Sequence, residues 1–342
     1  MDQAKAGQIF STRDIFSLLA SDLLEVEKEI GLESVASVEA VTMIAQYLQS
    51  SGGKRLRPSL LLLCARLFER PAEGKNGGEP DRGAIRLAAV VEILHAATLV
   101  HDDVIDMAQT RRGRPSANVQ WGNHTCVLAG DWLYMQAFQI ALRERNFHIL
   151  DLLIGLTQLM VEGELIQLER IGKIEITEAD CMEIVDRKTA GLFSVCAKLG
   201  AVMGGADAAM EERLGEYAWN LGMAFQLIDD LLDFTSREKT LGKPVGNDLR
   251  EGKITLPMVY ALERASIEER RQVEMILREQ NYDAVPFSQV RAMITKYGAV
   301  RRVQERAQQF TEKARQIIAE FPDSPYQSAL ASIADLITAR DH

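Results

Sequence analysis

Apolar residues recur at three- and four-residue steps along nearly the whole chain, and this periodicity constrains the fold more than any other feature. Over 13–30, Ile15, Leu18, Leu19, Leu23, Val26 and Ile30 make one stripe, with acids and a lysine between them. Similar stripes run over 35–49, 58–68, 85–107, 125–142, 150–170, 178–203 and 209–234, then 256–264, 268–279, 287–297, 300–321 and 326–339. Polar–apolar alternation bounded by turn residues is nearly absent, so strands are not expected. The chain is read as all-α. Several stripes are apolar on more than one face, which predicts a central bundle covered by surrounding helices.

The 342 residues, 47% hydrophobic, can supply a sizeable core. A Gly- and Pro-rich polar stretch (71–83) and two basic connections (110–118 and 235–254) punctuate the stripes. No linker or composition shift divides the chain, so one domain over 1–342 is expected. A formal net charge of -10 argues against a nucleic-acid partner. Cys64, Cys126, Cys181 and Cys196 are widely spaced with no CxxC pair, which suggests neither a zinc site nor a disulfide framework. No basic stretch followed by an apolar run opens the chain, and the apolar windows 59–67 and 88–100 are too short or too interrupted to cross a membrane. A soluble, cytoplasmic protein is expected.

Two acidic clusters carry the chemistry. DDVID places Asp102 and Asp106 one helical turn apart, with Asp103 about 100° round the helix. DDLLD repeats the spacing with Asp229, Asp230 and Asp233. Each ends an apolar stretch, where neighbouring carboxylates repel one another and resist desolvation unless cations bind. A single DDxxD could be a solvated acidic turn. Two copies, each followed by a basic connection, point instead to hard divalent cations, and Mg2+ commonly shares its coordination with substrate phosphates. The basic company is GGKRLRP with Lys54, Arg55 and Arg57, TRRGRPS with Arg111, Arg112 and Arg114, DRKTAG with Lys188, and GKPVGNDLREGKIT with Lys243 and Lys253. Arginine forks and helix N-termini suit phosphates.

The order GGKRLRP, HDDVID with RRG, RKTAG, FQLIDDLLD and GKPVGNDLREGKIT resembles that of the trans-type polyprenyl diphosphate synthases, over about 52–257. The resemblance implies a single-domain bundle of antiparallel helices around a deep central cavity (the isoprenoid synthase type I fold), homodimeric, with three magnesium ions. It implies that Lys54, Arg57, His95 and Arg112 hold isopentenyl diphosphate, while Arg111, Lys188, Thr189, Gln226, Lys243 and Lys253 hold the allylic diphosphate. Asp102, Asp106 and Asp229 would be the main metal ligands; Asp103, Asp230 and Asp233 would act mostly through metal-bound water or outer contacts. The reaction implied is ionisation of the allylic diphosphate, condensation with isopentenyl diphosphate and proton loss. Lys188 and Lys243 would assist the leaving group, and Thr189 and Gln226 would act as dipoles toward the cation.

In this family a bulky aromatic four or five residues before the first cluster closes the product pocket. Here those residues are Thr98 and Ala97, with Ile93, Leu94 and Val90 deeper on the helix. A long product of about six to ten isoprene units is therefore expected, as for a quinone side chain, with loose membrane association left open for a greasy product. The alternatives are a short-chain farnesyl or geranylgeranyl diphosphate synthase, a subunit of a heteromeric synthase, and a class I terpene cyclase. A cyclase normally mixes Asn, Ser or Thr with Glu in its second metal motif and lacks GGKRLRP.

Overall fold

The computed structural model describes residues 10–50, 55–68, 82–236 and 245–338. These are almost wholly helical. The first stripe divides at Leu19 into helices Thr12–Leu18 and Ala20–Glu33, and the next ones form Glu39–Ser50, Leu56–Arg66, Arg82–Ile105, Asn123–Ala141 and Phe147–Arg170. Glu178–Val185, a π-helical turn Asp186–Ala190 and Gly191–Gly204 follow without a break, then Ala208–Thr235. Later helices are Leu256–Leu262, Ile267–Glu279, Phe287–Lys296, Ala299–Ile318 and Pro325–Thr338. The described parts of the two basic connections hold regular elements that their composition does not predict. One holds a two-stranded hairpin and the helix Ala117–Trp121; the other holds the short helix Asn247–Arg250.

Two compact units make up the chain, each assembled from three segments. The first comprises Met1–Gly155, Phe193–Glu216 and Ile317–Ile333; the second Leu156–Leu192, Tyr217–Gln316 and Ala334–His342. In the first, Arg82–Ile105 packs chiefly against Asn123–Ala141, and also against Ala20–Glu33 and Leu56–Arg66. Leu87, Val90, Val91, Ile93, Leu94 and Val100 are buried. Each such side chain contributes about 1.5–3 kcal/mol by leaving water. This helix proves long and apolar enough to cross a membrane, because it extends beyond the window 88–100 on both sides. Yet 67% of its most apolar stretch is buried within the protein, as in a core helix. In the second unit, Val185, Ala190 and Met223 form a cluster with Met182, Trp219 and Phe310 against it. The Trp219 indole donates to Asp186 at 2.5 Å and meets the Phe310 ring edge-on at 5.7 Å.

Candidate active site

The first cluster occupies the last turn of Arg82–Ile105. The helix closes just beyond it: Met107 takes the left-handed conformation (φ 48°), and the Ala108 and Met107 N–H groups donate to the carbonyls of Asp103 and Val104. Three carboxylates thus crowd the negative end of a helix dipole, an unfavourable placement until a cation joins them. Asp102 and Asp106 are partly exposed on the face that also carries His95 and Leu99, whereas Asp103 is fully buried. Arg111 donates to Asp103 Oδ1 through Nε and Nη2, both at 2.7 Å, and the Ala117 N–H approaches Oδ2 at 3.5 Å.

That ion pair anchors the basic hairpin. Thr110 pairs with Pro115 and Arg111 with Arg114, leaving Arg112 (φ 52°) and Gly113 (φ 73°) as a two-residue turn. Both turn residues need positive φ, which Gly113 adopts freely and Arg112 only at a cost in strain. Arg114 lies over the Tyr47 ring at 4.1 Å, and the Tyr47 hydroxyl donates to the Pro115 carbonyl.

Arg57, Arg111 and Arg112 gather their positive charge around His95. Burial first, then Arg57, Arg111, Arg112 and Arg55, hold the His95 imidazole well below its ordinary pKa. Burial also lowers Arg57 and Arg112, the latter with Arg111 beside it. The Arg57 Nε is buried with no hydrogen-bond partner among the described residues, and its guanidinium stands 5.7 Å from the Phe193 ring. An unpartnered buried guanidinium nitrogen is costly and calls for an acceptor. Arg55 differs: it donates to both Glu27 and Glu92 and is neutralised within the protein. Glu92, which the motifs did not single out, is thereby the acidic counterweight at the rim of this group.

The second cluster lies near the C-terminal end of Ala208–Thr235, again where the dipole is negative. Asp229 is partly exposed; Asp230 and Asp233 are buried. Gln226 donates to Asp230 at 2.7 Å, and Asp233 accepts from the Asp248 N–H at 3.1 Å. The Asp233 carbonyl accepts from the Gly246 N–H at 2.9 Å, so one residue holds the GND turn twice. Gly246 (φ 71°) fits there because any side chain would strike Phe287 and Tyr282. Lys188 and Thr189 sit in the π-helical turn, a local insertion often found at functional sites. Lys188 donates to Glu164 and Gln167, and Thr189 donates to Gln226 at 2.9 Å. Lys253 pairs with Glu251 at 2.8 Å. Lys188 and Lys253, expected to hold a diphosphate, are therefore already ion-paired, as is Arg111. Lys54 and Lys243 lie outside the described residues.

The model of the polyprenyl synthetase family matches residues 38–294. The chain belongs to that family. It is 34% identical to the octaprenyl diphosphate synthase of Haemophilus influenzae over 99% of this chain and 100% of the other. It is also 34% identical to the geranylgeranyl diphosphate synthase of Methanosarcina mazei, over 90% and 92% of the two chains. A polyprenyl synthase of Caulobacter crescentus, solved with calcium and isoprenyl diphosphate, superposes with a TM-score of 0.89 at 35% identity, covering 98% of this chain and 99% of the other. This polyprenyl synthetase is accordingly a prenyltransferase with the isoprenoid synthase fold, acting on isoprenyl diphosphates.

The family is metal-dependent, and the donors here fit a hard cation: carboxylate oxygens at the negative ends of two helices. Among the described residues no three His, Cys, Asp or Glu side chains converge on one point. One or two carboxylates per ion, with substrate oxygens completing the shell, is the arrangement magnesium favours. Ala97 is fully buried, about 140° round the helix from Asp102. Thr98, about 40° from Asp102, keeps partial exposure and donates its hydroxyl to the His95 carbonyl at 2.8 Å.

Proposed function

We propose that this synthase extends an allylic diphosphate with isopentenyl diphosphate in a magnesium-dependent reaction and releases a long all-trans polyprenyl diphosphate. The observation that carries the reading is the cationic group that Arg57 and Arg112 make around His95, with its unpartnered Arg57 Nε, on elements close to Asp102 and Asp106. Such a group takes up a diphosphate, whose charge relieves the repulsion among its members.

Asp102, Asp106 and Asp229 would hold magnesium, with Asp103, Asp230 and Asp233 supporting them; three ions fit the family resemblance. When bound, the ions supply the positive charge that makes diphosphate a good leaving group. The chain does the rest. Arg57, His95 and Arg112, with Lys54, orient isopentenyl diphosphate so that its double bond lies within reach of the allylic carbon. Arg111, Lys188, Lys243 and Lys253 hold the allylic diphosphate, and Glu164 holds Lys188 until substrate competes for it. Thr189 and Gln226 present dipoles to the allylic cation. No side chain is assigned as base; the departing diphosphate takes the proton.

Long-chain specificity rests on Ala97 and Thr98, since relatives named for long and for short products are equally similar. A quinone side chain is a fitting destination. The chain would act as one catalytic domain in the cytoplasm and as a homodimer. Exposed Phe147, Ile154, Val161, Leu165 and Leu168 make an apolar stripe along Phe147–Arg170 that a second copy would cover. Incubation with Mg2+, farnesyl diphosphate and labelled isopentenyl diphosphate, followed by chromatography, tests the whole reading. Elongation beyond twenty carbons is expected. No elongation by folded protein overturns the activity, and products that stop at twenty carbons overturn the long-chain part.

A further inference from the structure

Thr189, Gln226 and Asp230 form a hydrogen-bonded relay with a defined direction. Thr189 Oγ1 donates to Gln226 Oε1 at 2.9 Å, and Gln226 Nε2 donates to Asp230 Oδ1 at 2.7 Å. Gln226 and Asp230 are one turn apart on Ala208–Thr235, and the π-helical turn brings Thr189 to them. The direction is imposed from the Asp230 end. The Gln226 amide turns its NH2 toward Asp230, which accepts through Oδ1. The amide oxygen then faces Thr189, whose hydroxyl proton is committed to it. What Oγ1 has left to offer is lone pairs. Were the amide reversed, its NH2 would donate into Oγ1 and turn the hydroxyl proton outward.

We infer that Asp230 is a positioning residue rather than a metal ligand: through Gln226 it fixes the polarity of the Thr189 hydroxyl, so that lone pairs and not a proton are available to the allylic cation. The inference rests on the prenyl-transfer reading above. Oxygen lone pairs lower the energy of a nearby cation, whereas an outward proton raises it, and a dipole oriented in advance needs no rearrangement when charge develops. The buried carboxylate of Asp230 is thus used at one remove from the reacting atoms.

Asp230→Asn is the informative change, because an asparagine amide can donate to Gln226 Oε1 and let the glutamine turn over. Its kcat is expected to fall about 10- to 100-fold. The KM for allylic diphosphate and the half-saturating Mg2+ concentration should stay within about twofold. Calorimetric binding of Mg2+ with inorganic pyrophosphate should match the wild type. Thr189→Val should lose a similar factor, and the double variant should be no slower than Thr189→Val alone, since both act through one hydroxyl. Weakened Mg2+–pyrophosphate binding in Asp230→Asn, or losses that multiply in the double variant, would make Asp230 a metal ligand and overturn the inference. Should Asp230→Asn not fold, Gln226→Leu cuts the relay while leaving Asp230 in place: unchanged Mg2+–pyrophosphate binding and a double variant with Thr189→Val no slower than Thr189→Val alone are expected, and a wild-type kcat or losses that multiply overturn it. A wild-type enzyme that elongates nothing removes the prenyl-transfer reading itself, a result distinct from any of these.

Discussion

The two aspartate clusters share one spacing and divide their carboxylates differently. In the first, Asp102 and Asp106 reach the surface and only Asp103 is fully buried; in the second, Asp229 alone is accessible. Their buried members have parallel tasks. Asp103 anchors the hairpin that carries Arg112, and Asp233 anchors the turn at Gly246–Asp248. A DDxxD pattern thus combines two kinds of aspartate: accessible ones that can meet a cation, and buried ones that hold a neighbouring connection or side chain in place. The second cluster spends more of its charge on scaffolding.

The largest effect should come from the accessible positions. Asp102→Ala, Asp106→Ala and Asp229→Ala should each lower turnover on the order of 10³-fold, as when a main source of transition-state charge stabilisation is removed. Retained turnover in Asp102→Ala would remove the metal assignment. A full effect at Asp102 with none at Asp229 would leave the second cluster as scaffold alone.

The buried positions should fail differently. Asp233→Ala strips an acceptor from the part-buried Asp248 N–H, at a cost of about 1 kcal/mol. Urea unfolding should register that loss. Asp103→Ala should cost a similar amount and also raise the KM for isopentenyl diphosphate, because the Arg112 turn loses its anchor. If Asp233→Ala instead unfolded like the wild type but needed more Mg2+, the contrast between the clusters would collapse.

This division of labour was only half legible in the sequence. Helical periodicity predicted nearly every helix to within a few residues, because stripes of Leu, Ile and Val at three- and four-residue steps need a partner face whatever the tertiary detail. The aspartates and most of their basic company were legible as local motifs. Burial was not: Asp102 and Asp103 are adjacent and identical, and only the position of Arg111 eight residues on decides which is taken inside. The pairing of Gln226 with Asp230 follows the i, i+4 spacing and was open to a reader who looked for it. Glu164 beside Lys188 and Glu92 beside Arg55 had no local signal, since each pair joins residues more than twenty positions apart.

Substitutions at the helix that leads into the first cluster give a smaller and more specific effect. Thr98→Tyr should shorten the product while elongation continues, because Thr98 is only partly buried. Ala97→Tyr should also shorten the product, but at about 1–3 kcal/mol of stability, because Ala97 is wholly buried and a ring there overfills the packing. Chromatographic product lengths with parallel melting curves separate the two. Unchanged product length in both would place the floor of the pocket elsewhere and sever chain length from the first cluster.

The smallest expected effect is a pH dependence confined to the first unit. The His95 pKa is depressed in the folded protein, by burial and then by Arg57, Arg111, Arg112 and Arg55, while in the unfolded chain it returns to about 6.5. Below that value the unfolded chain takes up a proton that the folded protein resists, so acidification favours unfolding. Stability from the neutral imidazole is complete above about pH 6.5 and is lost progressively as pH falls toward the depressed pKa. His95→Gln cannot take up that proton. Its melting temperature should fall less than the wild type's between about pH 7 and pH 5. Inorganic pyrophosphate should narrow the gap, because its negative charge offsets the arginines and lets His95 protonate in the folded state. Equal slopes for the two proteins would mean that neither burial nor the arginines depress the His95 pKa, and the cationic group would lose its claim on a diphosphate.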